Sequence, residues 1–275
     1  MKLVAACIQT NVGADVEDNL ARVEPLIREA ANRGAKFITL PENVDLMVRG
    51  REKFLAAAQP ESQNPAVAFF SRMAQETRTY ILAGSIVTIP ADGEKLYNRS
   101  YLFNDMGGIA ARYDKIHLFD ADVAEGESYR ESNTVLGGNQ AVTTDTPWGK
   151  IGLTVCYDLR FPYLFRTLAK AGAHIITVPA AFTYTTGKMH WHILLRARAI
   201  ETGCFILAPA QCGEHDGDRR TYGHSLIIAP SGEILAEGSE TTPEVIVAEL
   251  VLGQVAECRR RIPSLQHDRE FKMND

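Results

Sequence analysis

The chain is organised around the segment Ile151-Gly-Leu-Thr-Val-Cys156-Tyr-Asp-Leu-Arg160-Phe-Pro162, whose small and β-branched residues are typical of a buried strand. Pro162 suits the first turn of a following helix. Cys156 therefore falls where a strand turns into a helix, and free N–H groups at a helix start favour a thiolate or stabilise an oxyanion. Free cysteines are more commonly small core residues, so the local sequence alone leaves both interpretations open.

The composition excludes several classes of partner. The 275 residues are 45% hydrophobic and 23% charged, with a formal net charge of −5. This balance favours neither nucleic acid nor an acidic membrane as a partner. No apolar run has the length of a signal peptide or a membrane span, and five scattered cysteines without a CxxC pair indicate reduced thiols. We therefore expect a cytoplasmic protein.

Predicted strands and helices alternate along the chain. Besides the strand before Cys156, strands are predicted at residues 2–9, 36–40, 80–89, 96–104, 109–115, 175–178, 204–210, 223–229, 233–237 and 244–250. Helices are predicted at residues 16–33, 162–171 and 188–202 and over most of 51–78, and loops at 121–130, 179–187 and 211–221. No linker is evident, so residues 1–275 are predicted to form one domain. The pattern leaves open whether the strands form one sheet or two.

Two further polar residues follow predicted strands. Glu42 comes directly after the strand at 36–40, and ligand sites in α/β proteins commonly lie beyond the carboxyl ends of strands. Lys115 ends the predicted hairpin of residues 96–115. Taken singly, a glutamate or a lysine at such a position is more commonly solvated. A Lys/Glu pair so far apart in sequence does not indicate that the two side chains meet.

Three separated segments, taken in order, resemble the nitrilase superfamily of carbon–nitrogen hydrolases. They are Leu40-Pro-Glu42-Asn43, Arg112-Tyr-Asp-Lys115-Ile-His-Leu-Phe119 and the segment from Gly152 to Pro162. The resemblance covers nearly the whole chain and is closest to the Nit amidases. Gln211-Cys-Gly213 and Tyr222-Gly-His-Ser225 resemble the deaminated glutathione amidase group more than the ω-amidase group.

This resemblance implies an α+β fold, a four-layer α-β-β-α sandwich of the nitrilase type, with the site at one end between the sheets. It also implies a homodimer or a higher even homo-oligomer that pairs through an outer helical face, with the tail at residues 262–275 contacting the partner protomer. Neither a cofactor nor a metal is expected.

The superfamily uses a Glu-Lys-Cys triad, which the resemblance assigns to Glu42, Lys115 and Cys156. The thiolate would attack a small amide, form a thioester and release ammonia, and water would then hydrolyse the thioester. Glu42 would be the general base, provided that burial raises its pKa toward that of the thiol. Lys115 and the backbone N–H of Tyr157 would stabilise the oxyanion.

Superfamily members carry a second glutamate between the lysine and the cysteine. Its place in Tyr129-Arg-Glu131-Ser132 assigns this role to Glu131, which would hold Lys115 in position and keep it charged. Glu125 and Glu127 are the rival assignments.

The substrate contacts are less constrained by the resemblance. Arg160 lies where some relatives that hydrolyse N-carbamoyl amino acids bind the substrate carboxylate, and a structural role beside a buried carboxylate is the alternative. Arg49, Tyr184 and Thr186 are candidates for the pocket rim by position alone. The predicted substrate is a small ω-amide resembling deaminated glutathione. The alternatives are 2-oxoglutaramate, a nitrile and an N-carbamoyl compound.

Two other classes of protein were weighed against an amidase. A zinc hydrolase would draw on histidine and cysteine, but the available residues lack the paired spacing of a known zinc site. These residues are His174, His190, His192, Cys204 and Cys212. A non-catalytic binding protein is disfavoured because all three triad residue types are present.

Overall fold

The computed structural model describes residues 1–48, 50–90 and 93–274, apart from the side chain of residue 218. These residues form the following strands: β1 Lys2–Gln9, β2 Phe37–Thr39, β3 Tyr80–Thr88, β4 Tyr97–Phe103, β5 Ile109–Asp114, β6 Asp120–Ala124, β7 Glu127–Arg130, β8 Val142–Thr146, β9 Gly149–Leu153, β10 Ala173–Thr177, β11 Phe205–Ala208, β12 Cys212–His215, β13 Arg219–Tyr222, β14 Leu226–Ile228, β15 Ile234–Glu237 and β16 Glu244–Val251. The helices are α1 Val16–Asn32, α2 Arg51–Ala57, α3 Pro65–Thr77, α4 Pro162–Lys170, α5 Tyr184–Thr202 and α6 Gly253–Arg261.

Twelve of these strands form two six-stranded sheets. The strand order is β16-β1-β2-β3-β4-β5 in the first sheet and β15-β14-β11-β10-β9-β8 in the second. Three neighbouring strands of each sheet are parallel, namely β1, β2 and β3 in the first and β9, β10 and β11 in the second, while the remaining strands pair antiparallel. The sequence left open whether the strands form one sheet or two, and the structure has two main sheets.

Strand β1 shows how the layers are held together. Its side chains alternate between the two faces of the first sheet. Leu3, Ala5 and Cys7 join the cluster between the sheets, while Ala6 and Ile8 join the cluster beneath α1 and α3. Helices α4 and α5 cover the outer face of the second sheet. The predicted four-layer α-β-β-α sandwich is confirmed.

Two segments predicted as loops are hairpins that stand apart from both sheets. Residues 121–130 fall largely in the pair β6 and β7, and residues 211–221 fall in the pair β12 and β13. Strand β6 alternates exposed and half-buried side chains over only five residues and buries none of them, so its hydrophobic pattern is too short and weak to indicate a strand. Both hairpins border the site described below.

The helix boundaries also differ from the predictions in three places. Helix α1 continues through Pro25, where a kink or restart was expected, with Leu20, Val23 and Ile27 buried on one face. Helix α5 begins at residue 184 rather than 188. Helix α6 was not predicted because it buries only Val255 and so lacks an apolar stripe.

The first part of the tail at residues 262–274 packs against α4 of its own protomer. Arg166 donates to the carbonyl oxygen of Ser264 at 2.9 Å, and both Arg166 and Lys170 form ion pairs with Asp268. Among the described residues, no helix is long and apolar enough to cross a bilayer.

Candidate active site

Cys156 lies on a strained turn between β9 and α4. Its backbone φ is +47°, in the left-handed region that costs a residue with a side chain about 1–2 kcal/mol. The N–H of Cys156 donates to the carbonyl oxygen of Pro179 at 2.9 Å, and the N–H of Val155 donates to the Asp158 carboxylate at 2.8 Å. These bonds hold the strained turn, which presents the thiol at the end of a rigid strand. The turn to the α4 N-terminus at Pro162 follows as predicted.

Asp158 ties this turn to the segment that carries Lys115. Its fully buried carboxylate accepts hydrogen bonds from the hydroxyl of Tyr113 at 2.7 Å and from the backbone N–H of His117 at 3.1 Å. Tyr113 and His117 flank Lys115 on either side. Asp158 was not predicted as a site residue, since an aspartate two residues after a cysteine carries no sign of burial in the sequence.

Glu42 is positioned by a close approach of two backbones. The loop after β2 rests on Gly84 of β3, where an added Cβ would lie only 1.9 Å from the carbonyl oxygen of Leu40. The Glu42 carboxylate accepts hydrogen bonds from the N–H of Ala181 at 2.9 Å and from the amide of Asn98 at 3.0 Å. The Cys156 thiol lies close enough to this carboxylate for each group to shift the pKa of the other.

Lys115 lies between two carboxylates. Its ammonium is 2.8 Å from Glu42 and 2.8 Å from Glu131, and only 2% of its side chain is exposed. Asn98 donates to Glu131 as well as to Glu42, at 3.0 Å in each case. The structure therefore brings Glu42, Lys115, Cys156 and Glu131 together in one buried cluster. Glu125 and Glu127 line the same cavity, but in the described part of the chain neither contacts Lys115.

Comparison with known proteins shows the family to which this chain belongs. The family model described as "Carbon-nitrogen hydrolase" matches residues 3–260. The chain belongs to the carbon–nitrogen hydrolase family. It is 41% identical over 268 residues to a protein named deaminated glutathione amidase from Synechocystis sp. strain PCC 6803, covering 96% of this chain and 97% of that protein.

Solved structures of the nitrilase superfamily share the fold of this carbon–nitrogen hydrolase. Saccharomyces cerevisiae Nit3, a member of branch 10 of the nitrilase superfamily, superposes with a TM-score of 0.88 at 30% identity, covering 98% of this chain and 97% of that one. The Caenorhabditis elegans NitFhit protein superposes with a TM-score of 0.89 at 31% identity over 98% of this chain. This chain spans 65% of the NitFhit chain.

The cluster of this hydrolase opens into a cavity of about 750 Å³. Tyr184 and Thr186, both predicted for the rim, line it. Arg160 is not among the lining residues, because its guanidinium lies 5.3 Å from the ring centroid of Phe182 and 3.3 Å from Nδ1 of His190. Its predicted contact with a substrate carboxylate therefore has no support in the structure. Arg49 lies outside the described residues.

Tyr157 follows Cys156 on the strained turn and lines the cavity. Its backbone N–H has no hydrogen-bond partner among the described residues. This leaves the group free to act as the second oxyanion donor that the resemblance implies.

The protonation states of the cluster differ in one respect from expectation. Burial favours a raised pKa for Glu42, but the charge of Lys115 and the hydrogen bonds from Lys115 and Cys156 outweigh it, so the pKa lies below its ordinary value. Burial and the neighbouring Glu42 carboxylate raise the pKa of the Cys156 thiol well above its ordinary value. The expected rise in the pKa of Glu42 is thus reversed by its ion pair. The resting state holds a neutral thiol beside an ionised carboxylate.

Lys115 remains protonated despite its burial. Burial acts to lower the pKa of its ammonium, but the charges of Glu131 and Glu42 together hold that pKa above its ordinary value. The cluster therefore contains one cation between two anions and carries a net negative charge.

The residues considered for zinc do not converge on this cavity. Within the described residues, the group that could hold a metal ion is His192, His224 and Glu237, whose ligand atoms lie within 4.8 Å of one another. None of these three residues lines the cavity that contains Cys156. The arrangement gives no support to a zinc hydrolase mechanism.

Replacing Asn98 with alanine is expected to move the acid limb of the pH profile of kcat/KM to higher pH. Asn98 donates to both carboxylates and so favours their ionised forms. In the wild type, activity is full above the pKa of Glu42 and is lost as the pH falls through it. Removing the amide raises that pKa. Steady-state assays across acidic pH would measure the shift, and an unchanged acid limb would show that Asn98 does not control the ionisation of Glu42.

Proposed function

We propose that this carbon–nitrogen hydrolase cleaves the amide bond of a small acid of the deaminated glutathione type, through a thioester on Cys156. The supporting observation is that Cys156, Glu42 and Lys115 line one cavity, where the Glu42 carboxylate is 2.8 Å from the Lys115 ammonium and raises the pKa of the Cys156 thiol. The substrate class is supported by the relatives at about 40% identity that are named deaminated glutathione amidase.

The first step transfers the thiol proton to Glu42 as the sulfur attacks the amide carbonyl carbon. Resting Glu42 is a weak base because Lys115 lowers its pKa, and its basicity rises as the Lys115 ammonium turns toward the developing oxyanion. A C–S bond forms, and the carbonyl electron pair becomes an oxyanion. Because protonation removes the charge of Glu42, the Lys115 ammonium loses one of its two anionic partners and can donate to the oxyanion. The backbone N–H of Tyr157 supplies the second donor. The cluster keeps the same net charge throughout, so the negative charge moves from Glu42 to the oxyanion.

The tetrahedral intermediate then collapses, the C–N bond breaks, and Glu42 returns its proton to the leaving nitrogen. In the second half-reaction Glu42 takes a proton from water as the water oxygen attacks the thioester, and the acid product leaves. A primary amide releases ammonia, as expected from the sequence. Deaminated glutathione carries a secondary amide whose nitrogen belongs to cysteine, so its products are 2-oxoglutarate and cysteinylglycine.

A substrate panel tests this proposal. The panel comprises deaminated glutathione, 2-oxoglutaramate, glutamine, an N-carbamoyl amino acid and an aliphatic nitrile. Acid and amine products are quantified separately by mass spectrometry, since an ammonia assay alone misses a secondary amide. We expect the highest kcat/KM for deaminated glutathione, with equimolar 2-oxoglutarate and cysteinylglycine. A higher value for the nitrile or the N-carbamoyl compound would contradict the proposal.

The oligomer we propose is a pair of protomers joined through the outer face of α4 and α5. Three large apolar residues recur at helical spacing on α5 and are more than half exposed, namely Met189, Ile193 and Ile200. Tyr163 on α4 is 63% exposed. A second copy of the chain would bury this face.

Light scattering after size-exclusion chromatography is expected to give an even multiple of the protomer mass. Ile193→Glu is expected to yield monomers because it places a charge on the proposed interface. Met106→Glu is the matched control, since Met106 is 73% exposed in the turn between β4 and β5. A monomeric wild type would contradict the pairing.

We also propose a cytoplasmic location. All five cysteines are free thiols. The proposed nucleophile requires a reduced sulfur, and the cytoplasm maintains thiols in that state. Cell fractionation with an antibody to the protein would test this location.

A further inference from the structure

We propose that Arg219 binds a carboxylate of the substrate inside the catalytic cavity. This inference rests on the proposed function, since it concerns how an acidic amide is recognised at the same site. It assigns to Arg219 the role that the sequence analysis considered for Arg160.

Arg219 lies at the start of β13 and lines the cavity that contains Cys156 and Glu42. Its guanidinium donates from Nη2 to the carbonyl oxygen of Ala181 at 3.1 Å. The N–H of the same Ala181 donates to the Glu42 carboxylate at 2.9 Å. Ala181 therefore connects the guanidinium to the proposed general base, through its carbonyl oxygen on one side and its N–H on the other. A group bound to Arg219 would lie within a few bonds of the reacting carbonyl.

The guanidinium has donors that nothing in the described chain satisfies. Nε of Arg219 is buried and lacks a hydrogen-bond partner, and no carboxylate of the described residues forms an ion pair with this side chain. The ring of Tyr129 lies 5.7 Å from the guanidinium carbon. A buried charged donor without a partner is costly, whereas a carboxylate can accept two parallel N–H bonds from one guanidinium.

Two other arginines on the cavity lining already have anionic partners, and a third, Arg51, is exposed and donates to the carbonyl oxygen of Glu94 at 3.2 Å. Arg220, the next residue along β13, forms an ion pair with Glu240 at 2.7 Å and stacks on Tyr184 with its guanidinium carbon 3.7 Å from the ring centroid. Arg130 forms an ion pair with Asp122 at 2.8 Å. Arg219 thus differs from its neighbours in being partly buried without an anionic partner.

The charge of the cavity gives a second reason for this assignment. Glu42 and Glu131 share the single ammonium of Lys115, so the catalytic cluster repels an anionic substrate. An acidic amide needs a further cation to enter. The Arg219 charge already acts on Glu42, because it is one of the groups that lower the pKa of that carboxyl.

The test compares wild type with Arg219→Met on three amides. These are deaminated glutathione, its analogue with a carboxamide in place of the glycine carboxylate, and N-pentanoyl-cysteinylglycine, which lacks the acid on the acyl side. We expect Arg219→Met to lose about 100-fold in kcat/KM, mainly through KM, on every substrate that keeps the recognised carboxylate. On the analogue that lacks this carboxylate, the kcat/KM values of wild type and Arg219→Met should agree within about threefold. That analogue identifies which of the two carboxylates Arg219 binds.

Two control variants sharpen the comparison. Arg219→Lys keeps the positive charge but lacks the planar guanidinium, so its kcat/KM should lie between those of wild type and Arg219→Met. Arg220→Met removes the neighbouring arginine, which is already paired, and should leave the preference among the three amides unchanged. An equal loss on all three amides for Arg219→Met, or no loss on any, would overturn the proposal.

A binding measurement separates this inference from the proposed function. Isothermal titration of 2-oxoglutarate into the wild type and into Arg219→Met needs no turnover. If the wild type hydrolyses none of the amides, the proposed function fails. Weaker binding of 2-oxoglutarate by the variant would then still support the carboxylate site, and equal binding would refute it.

Discussion

Cys156→Ala is expected to abolish amide hydrolysis, with kcat reduced by at least about 10⁴-fold, because loss of the nucleophile removes the covalent route. The remaining donors of the site can still polarise a carbonyl, but no atom within their reach can form the thioester. Release of 2-oxoglutarate from deaminated glutathione would be measured at saturating substrate. Intact-mass spectrometry of the wild type after rapid quenching should show the acyl adduct, and the variant should show none.

Cys258→Ala is the matched control for this substitution. Cys258 lies half-buried on α6 and does not line the cavity, so its loss should leave turnover unchanged. Alkylation is a weaker criterion than turnover. Burial raises the pKa of the Cys156 thiol, whereas Cys258 is more accessible to reagent. Near-normal turnover in Cys156→Ala would end the thioester mechanism.

The sequence was sufficient for the parts of the site that follow strand ends. Cys156 and Glu42 both follow short apolar strands, and Lys115 ends a hairpin, so their positions could be read from local patterns together with the order of the three segments. The start of α4 at a proline was also accessible, because it depends on neighbours within a few residues along the chain. The four layers followed only from the family resemblance, since the pattern of strands left open whether they form one sheet or two.

The contacts that complete the cluster were not accessible in the same way. The N–H of Ala181 reaches a carboxylate 139 residues earlier, and Asn98 bridges glutamates on either side of it. Asp158 acts through Tyr113, 45 residues away. Nothing local distinguishes such an alanine, asparagine or aspartate from one in solvent. The hairpin that carries Arg219 was predicted as a loop, so its place in the cavity could not be anticipated.

Lys115→Met is expected to reduce both stability and activity. The substitution leaves two carboxylates buried side by side without a cation, and breaking a buried ion pair by removing one partner typically costs about 3–5 kcal/mol. It also removes an oxyanion donor, which typically lowers kcat by about 10²–10³-fold. Urea denaturation followed by fluorescence measures the first effect, and steady-state turnover measures the second.

The pH dependence of the stability deficit identifies its cause. Without Lys115, the Glu42 carboxyl stays buried and loses the cation that lowers its pKa, so its pKa rises above that of the unfolded chain. A carboxyl group with a raised pKa in the folded state destabilises the fold as the pH rises through that pKa. The deficit of Lys115→Met should therefore be smaller at acidic pH than at neutral pH. A deficit that does not change with pH would assign the loss to packing rather than to charge.

The double variant Lys115→Met/Glu131→Gln separates the structural role of the lysine from its catalytic role. Glutamine keeps the shape of Glu131 and removes one of the two facing charges, and its single oxygen can accept from either Asn98 or the N–H of Phe119. Much of the stability lost in the single variant should then return, because only Glu42 remains ionised beside Asn98 and Ala181. Turnover should stay low, since no cation faces the oxyanion. Recovery of turnover together with stability would show that Lys115 only balances the charge of Glu131, and the ammonium would then have no part in the chemistry.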